Sequence, residues 1–402
     1  MEVIVLLPAA VACYDDRTDG TVVKALPPDL AFYVHSGRHG RMTVVDLYRR
    51  AEKVSWLVIG HLVMRVGEAR LRVGGIGGVG TAREHRHKGY AALCMLKALE
   101  VMEAEGFHLS ALFGIPNFYH RWGYARAVPE PRLKFATDSA ALAKVPAGYR
   151  IVPFNRTRHG PQVLALYEAN QCLRTLSAVR PAPGHWRGFW LASSWFRRSE
   201  AFVVVRGGHV EGYGVNDQDR KAMIVTEAGY RSPAVFPAIT AEFARRARAR
   251  RVPEMTLHLP PDHAYARYLR RFGLDVVVHY WRSGDGTARI MLLDRTFRDC
   301  EGELTRRLRA SALARARFAV RIGCELGEVR LAAQGGRVRV RPGTGGMRVT
   351  VPQPILTQLL IGYRTVDDAM TEPGVRIPRE AVDPLSALFP PALPYCLPAD
   401  RF

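Results

Sequence analysis

The sequence predicts a mixed α/β chain of two or three domains, and three observations lead there. At 402 residues it exceeds what one compact core holds. Apolar runs of strand length alternate with amphipathic segments at helical spacing. The order strand, strand, helix, strand, helix occurs twice before a segment of different character begins near residue 296.

Residues 54–66 (VSWLVIGHLVMRV) and 69–82 (ARLRVGGIGGVGTA) read as neighbouring strands joined by the turn Gly67-Glu68. A helix is expected from about Tyr90 to Glu105, because Leu93, Leu96, Leu99 and Met102 keep helical spacing and Gly106 closes it. The strand HLSALFGI then leads into PNFYHRWGYA, so that a helix packs across a sheet. Acidic, Pro- and Ala-rich residues around 129–147 mark a first boundary. Beyond it FVVVRG and EGYGVND form a hairpin-like pair. AMIVTEAGY, an arginine-rich helix over 233–251, MTLHLP and AYARYLRRFGLD complete the second round. His120-Arg121-Trp122-Gly123-Tyr124 loosely matches Arg270-Arg271-Phe272-Gly273-Leu274, as an internal duplication or a chance match would; the order of elements carries more weight. The last segment has a helix over 301–316, alternating strands FAVRIG, EVRLAAQ, RVRVRPG and MRVTVP, the helix PILTQLLIGY and a proline-rich end, LFPPALPYCLPADRF. The expected divisions are 1–142, 143–295 and 296–402.

Composition bounds the function. Apolar residues make up 48% and charged residues 24%, which excludes a disordered chain. The net charge of +21 has two readings. It is either compositional, since Arg outnumbers Lys severalfold and Ala is abundant, or it serves an anionic partner. The excess is spread along the chain with no lysine-rich tail, so nucleic acid is not the expected partner. The arginines of 243–251 read first as a solvated helix face. Six scattered cysteines, Cys13, Cys94, Cys172, Cys300, Cys324 and Cys396, form no CxxC pair. With no histidine cluster at ligand spacing, no metal site is expected, and a reducing, cytoplasmic setting is. The opening MEVIVLLPAAVAC is signal-like in length, but Glu2 stands where a basic n-region belongs and a proline interrupts it. No stretch approaches the roughly 20 apolar residues of a membrane span.

The strongest local pattern is Val79-Gly80-Thr81-Ala82-Arg83-Glu84-His85-Arg86-His87-Lys88-Gly89-Tyr90-Ala91. A strand ends and a helix begins across Arg86-x-x-Gly89-x-Ala91. Free N–H groups at such a junction, with the helix dipole, form a pyrophosphate cradle. Gly89 and Ala91 keep side chains clear, while Arg86, His87 and Lys88 add positive charge. The glycine run 74–80 reads as a bare strand against which an extended cofactor arm can lie, or else as a bulged, poorly packed strand.

Residues 54–126 resemble the GCN5-related N-acetyltransferases (GNAT). The stretch GGIGGVGTAREHRHKGYAALCMLKALEVMEAEGFHLSALFGIPNFYHRWGYA is similar to their acetyl-CoA motif and the strand and helix after it. The length, the two similar halves and the basic third segment resemble more narrowly the Eis (enhanced intracellular survival) family. The resemblance implies two GNAT-like mixed-sheet domains in tandem plus a sterol-carrier-like α/β C-terminal domain. Residues 1–50 match poorly. It further implies acetyl transfer directly to an amine, with Tyr119 as general acid and the terminal carboxylate, carried by Phe402, as base. A phenol of pKa ~10 can protonate a thiolate whose own pKa is ~8.5, whereas a terminal carboxylate of ~3.5 needs burial to serve as a base. Glu52, His61 and His120 are the other candidate bases. By the same resemblance a backbone N–H near Val79 holds the thioester carbonyl. Val79, Gly80, Thr81, Gly114 and Ile115 then line the pantetheine arm, and Arg86, His87, Lys88, Gly89, Tyr90, Ala91 and Ala92 the pyrophosphate. Leu269 stands where the second half would need its tyrosine, and that half lacks the RxxGxA pattern, so it is expected to be silent. The acceptor is a small-molecule amine or a protein lysine; the basic chain argues against a polycation. Hexamers are implied by the family alone. The competing reading is a GNAT scaffold without catalysis that binds nucleic acid or a lipid surface.

Overall fold

In the computed structural model, residues 11–14, 21–24, 26–37, 40–181, 198–219 and 221–402 are described, the first two segments by backbone alone. The chain begins with β1 (Val11–Tyr14) and β2 (Thr21–Lys24), an antiparallel pair. It continues through β3 (Leu30–Ser36), β4 (Met42–Arg49), β5 (Glu52–Val66), β6 (Ala69–Thr81), α1 (Tyr90–Ala104), β7 (Leu109–Gly114) and β8 (Ala125–Arg126). Next come β9 (Glu130–Ala136), α2 (Thr137–Ala140), β10 (Arg150–Pro153), α3 (Arg156–Gln171), β11 (Ser199–Arg206), β12 (His209–Asp217) and β13 (Met223–Tyr230). These lead to α4 (Phe236–Ala249), β14 (Glu254–Leu257), α5 (Ala264–Leu269) and β15 (Asp275–His279). The last stretch holds β16 (Asp285–Ile290), α6 (Leu293–Asp299), α7 (Glu301–Arg309), β17 (Phe318–Cys324), β18 (Gly327–Gln334), β19 (Arg337–Val340) and β20 (Met347–Thr350). It ends in α8 (Gln353–Ile361), α9 (Val366–Met370) and α10 (Arg379–Leu388). Among the described residues no helix is long and apolar enough to cross a membrane.

The chain folds as two compact units, neither continuous in sequence. One takes residues 1–127, 283–391 and Phe402; the other takes 128–282 and 392–401. In the first unit the sheet order is β3-β4-β5-β6-β7-β16-β8. The β5–β6 hairpin closes on a two-residue loop with Val66 opposite Ala69 and Gly67 at φ 57°, the positive φ that tight hairpin turns require. Cys94, Met95, Ala98 and Met102 of α1 bury one helix face on Val45, Leu47, Leu57, Ile59 and Ile76 of the sheet. The buried Val, Leu, Ile and Met side chains among these each contribute roughly 1.5–3 kcal/mol of apolar burial. β6 and β7 are parallel partners only where Val73–Ile76 meets Leu109–Leu112, and their C-terminal ends part beyond that. The free edge of β7 is covered by β16, which returns from far along the sequence.

The same unit holds a second sheet, β19-β18-β17-β20, with α6, α7 and α10 against it. The helix expected over 301–316 is shorter, ending at Arg309. Ser311 stops it: its hydroxyl donates to the Leu308 carbonyl and accepts from the Leu313 N–H, a local alternative to helix continuation. The seven-residue α6 before it gave too short a pattern to read.

In the second unit the sheet order is β10-β11-β12-β13-β14-β9-β15. Its β11–β12 hairpin turns on Gly207 and Gly208, both at positive φ. β13, α4 and β14 make a parallel strand–helix–strand crossover, as β6, α1 and β7 do in the first unit. The tandem order read from the sequence is therefore a tandem of mixed sheets. Residues 130–136, inside the stretch expected to mark a boundary, form β9 between β14 and β15. The arginine-rich helix is only partly a solvated face. Arg245 and Arg248 are exposed, but Arg246 and Arg250 are mostly buried against Glu200 and Glu242.

Candidate functional site

The loop from Ala82 to Gly89 joins β6 to α1, and its backbone is what matters. His87 (φ 60°) and Gly89 (φ 79°) both take left-handed conformations, Gly89 as the N-cap. That turn leaves the N–H groups of His87, Lys88, Gly89, Tyr90 and Ala91 without a hydrogen bond among the described residues. Helix geometry explains the last of these, since first-turn N–H groups have no carbonyl behind them. A Cβ at Gly89 would meet nothing within 4 Å, so the space over the helix end is open. The arrangement is an anion nest on a helix dipole. Arg86, His87 and Lys88 stand exposed around it. His85 braces the loop from below: it is buried, and its Nε2 lies 3.1 Å from a Glu52 carboxylate oxygen.

The glycine run divides into parts. Gly74 makes room for Met102 of α1, Gly75 for the Phe402 ring and Gly80 for the Trp56 indole. Three of the glycines expected to be bare for a cofactor are thus covered by the chain's own side chains. Farther along, the register slips between Trp56 and Val58, leaving Gly78 (φ 58°) and Val79 without partners on β5. Val79, Gly80 and Thr81 are part-exposed on this bulge. Ser55 holds the strand end in place, its hydroxyl 2.8 Å from the Gly80 carbonyl and 3.0 Å from Thr81 Oγ1.

Phe402 lies on the sheet face opposite α1, as the alternation of Gly74 and Gly75 requires. Its ring packs edge-to-face on Phe113 at 5.7 Å, and its main-chain carboxyl carbon would sit 3.0 Å from a Cβ at Gly77. Tyr119 is buried at the start of a short 3-10 turn after β7, its ring over Gly114. Its hydroxyl has no hydrogen-bond partner among the described residues, and burial raises its pKa. Ile115, beyond Gly114, is 62% exposed. Tyr124, by contrast, is fully enclosed, with its hydroxyl 2.6 Å from Ser110 Oγ.

The other candidate bases lie elsewhere. His61 is paired with Gly74 and so shares the α1 face, away from Phe402; its Nε2 is 2.9 Å from Thr43 Oγ1. Glu52 is engaged by His85, and His120 is exposed. Glu52, Glu84 and His85 bring one ligand atom each within 4.8 Å of one another. Sequence reasoning missed Trp56 and Phe113. The signal for Trp56 was its position across the hairpin from a glycine.

Residues 37–127 match the family described as acetyltransferase (GNAT) domain. No curated protein matches the chain by sequence. Among solved structures, a conserved protein of Enterococcus faecalis V583 shares 15% identity, covering 90% of this chain and 89% of that one, with a TM-score of 0.74. A GCN5-related N-acetyltransferase from Kribbella flavida shares 19% identity over 90% and 88% of the two chains, with a TM-score of 0.68. Eis1 from Mycobacterium abscessus shares 18% over 89% and 90%, with a TM-score of 0.62. At such identities the likeness is one of fold. The chain carries a GNAT acetyltransferase domain, a fold that implies acyl transfer from acyl-CoA.

Proposed function

We propose that this protein moves an acetyl group from acetyl-CoA directly to a primary amine in a ternary complex. One observation carries the reading: five successive free N–H groups, His87 to Ala91, at the foot of α1 beside the parted ends of β6 and β7. A pyrophosphate suits that cradle in charge and in donor geometry. Bound acetyl-CoA would supply an activated thioester carbonyl. We assign the Val79 N–H to that carbonyl oxygen, where a preorganised donor stabilises developing charge. Val79, Gly80, Thr81, Gly114 and Ile115 line the pantetheine path, and Arg86 to Ala92 the pyrophosphate.

Tyr119 is the general acid. Its raised pKa keeps the proton on at neutral pH, and its unbonded hydroxyl is free to donate it. The carboxyl group of Phe402, beside Gly77, is the base we assign for the incoming ammonium. Packing of the Phe402 ring against Phe113 and Gly75 holds that group in place. The acceptor is a small-molecule amine or a protein lysine. We assign residues 296–402 a sterol-carrier-like architecture, supported by helices lying against one four-stranded sheet.

Self-association belongs to the same reading, and the edge strand β15 offers it a surface. Val278 faces Pro131, which has no N–H, so Val276 and Val278 turn their own N–H and C=O groups outward. Two copies paired antiparallel about Val277 would bond Val276 to Val278 and set Asp275 opposite His279. Val276 and Val277, 43% and 45% exposed, would be covered. Sedimentation velocity checks this: Val276→Lys should lower the association state, and an unchanged state removes β15 from the interface.

Thiol release from acetyl-CoA, measured across aminoglycosides, polyamines and lysine peptides, tests the function. Release with one amine class, together with calorimetric binding of acetyl-CoA, is the expected result. A protein that binds no acetyl-CoA ends the proposal. Adding a few residues after Phe402 should impair turnover, and normal activity there would remove its carboxyl group from the mechanism.

A further inference from the structure

The sheet β19-β18-β17-β20 turns Val320, Ile322, Val329, Leu331, Val338 and Val349 inward. Its other face is arginine. Arg330 stands directly opposite Arg321, and Arg321 opposite Arg348. Arg341 directly follows β19, and its N–H bonds the Arg330 carbonyl at 3.0 Å, which continues the row of arginines past that strand's end. Arg339 and Arg337 stand on the same face of β19, opposite Ala332 and Gln334. Like charges directly opposite one another destabilise a sheet. Strand alternation alone puts arginine on the outer face, but it does not require the arginines to line up in register.

Little on the face offsets this charge. Glu328 lies 3.2 Å from Arg321 Nε, and Glu301 pairs with Arg339 at 2.7 Å. Arg321 and Arg330 also donate to the carbonyls of Thr344 and Gly345. The exposed side chains of Arg337, Arg341 and Arg348 have no partner among the described residues. No large apolar side chain is exposed on this face among the described residues, so it has nothing to insert into a lipid layer. It has no exposed aromatic for base stacking either. A second copy of a chain with net charge +21 is a poor complement.

We propose that this arginine face binds the phosphate backbone of nucleic acid without sequence preference. Strand gaps of about 4.8 Å make the row roughly 14 Å long. A duplex strand rises about 3.4 Å per nucleotide, so about four phosphates lie along that length. Guanidinium forks suit phosphate oxygens, and contacts to phosphate position a duplex without reading its bases.

The test is fluorescence anisotropy of a labelled duplex of about 20 base pairs, titrated with the full chain between about 50 and about 200 mM salt. The logarithm of affinity should fall against that of salt with a slope of about −3.6, or about 0.9 per phosphate. Arg341→Gln and Arg348→Gln, at side chains that brace nothing, should each flatten the slope by about 0.9. Arg341→Lys should keep it, as should Arg245→Gln on α4. Thiol release by the Gln variants should stay unchanged, which separates this proposal from the acetyltransferase reading. Absence of binding at about 50 mM salt would overturn it. So would an unaltered slope in the double Gln variant, or binding to phosphatidylserine vesicles without binding to the duplex.

Discussion

Tyr119 and Tyr124 flank the same short turn, and the general-acid role proposed for Tyr119 rests on the difference between them. Tyr124 is bound to Ser110 and enclosed, whereas the Tyr119 hydroxyl is unbonded. Tyr119→Phe should therefore lower kcat by roughly 10²- to 10⁴-fold, the usual contribution of a positioned acid. The calorimetric affinity for acetyl-CoA should hardly move. Tyr124→Phe should instead cost about 0.5–1.5 kcal/mol of stability by removing one buried hydrogen bond, since Ser110 keeps its bond to the Gly74 carbonyl, read as a lower melting temperature. Elsewhere the second unit contains a buried ionic knot. Arg180 grips Glu227 and Asp400 with bonds of 2.7–2.9 Å, and all three are almost fully enclosed. Arg180→Ala should destabilise by roughly 3–5 kcal/mol in denaturant titrations, because two carboxylates would be left buried without a cation.

His263 sets an acid limit of its own. Burial depresses its pKa to about 3, against 6.5 unfolded, with Arg174 and Arg267 adding to the effect. The folded state holds it neutral, its Nδ1 accepting from the Tyr265 N–H at the start of α5. Its contribution is thus complete above pH 6.5 and is lost as pH falls toward about 3. The loss amounts to roughly 3–5 kcal/mol at about 1.4 kcal/mol per unit. Stability measured against pH should fall less steeply in that window for His263→Gln.

At the level of elements, the junction of β6 and α1 does the most. Gly89 must sit at φ 79°, where a side chain costs roughly 1–2 kcal/mol, although no neighbour blocks a Cβ. Gly89→Ala should raise the KM for acetyl-CoA at least about tenfold, since a residue that resists this φ shifts the free N–H groups around it. A melting temperature lowered by a few degrees should accompany it. Unchanged KM in a folded variant would remove the nest from cofactor binding. The bulge at Gly78–Val79 is the second device, for it withdraws two residues from the β5 ladder on the strand's final stretch.

Across the whole molecule, connectivity matters more than the order of segments. β16, from residues 285–290, pairs with both β7 and β8, and Phe402 packs on β6. A fragment ending at residue 142 would expose the β7 edge and uncover Gly75. Such a fragment should show poor solubility and no cooperative melt by circular dichroism, an outcome expected of an unpaired apolar strand. A soluble, cooperative fragment would show that β16 is dispensable.

Much of the local structure around the candidate site was legible in order of residues, because its physics is local. The β5–β6 hairpin, α1 and the Arg86-x-x-Gly89 junction each depend on patterns within about a dozen residues: alternation, helical spacing and a glycine where φ is positive. The role proposed for Tyr119 came only through the family resemblance of its neighbourhood. The shortness of helix 301–309 was not legible, since a single serine hydroxyl competing for a carbonyl ended it. The sequence by itself determined the β5–β6 hairpin, α1 and the glycine-bearing junction between them. Only the tertiary structure decided that Phe402 fills the space left by Gly75, that β16 covers β7, and that Arg321, Arg330, Arg341 and Arg348 share one row. Those facts depend on pairing between residues tens to hundreds of positions apart, and no local periodicity encodes such a register.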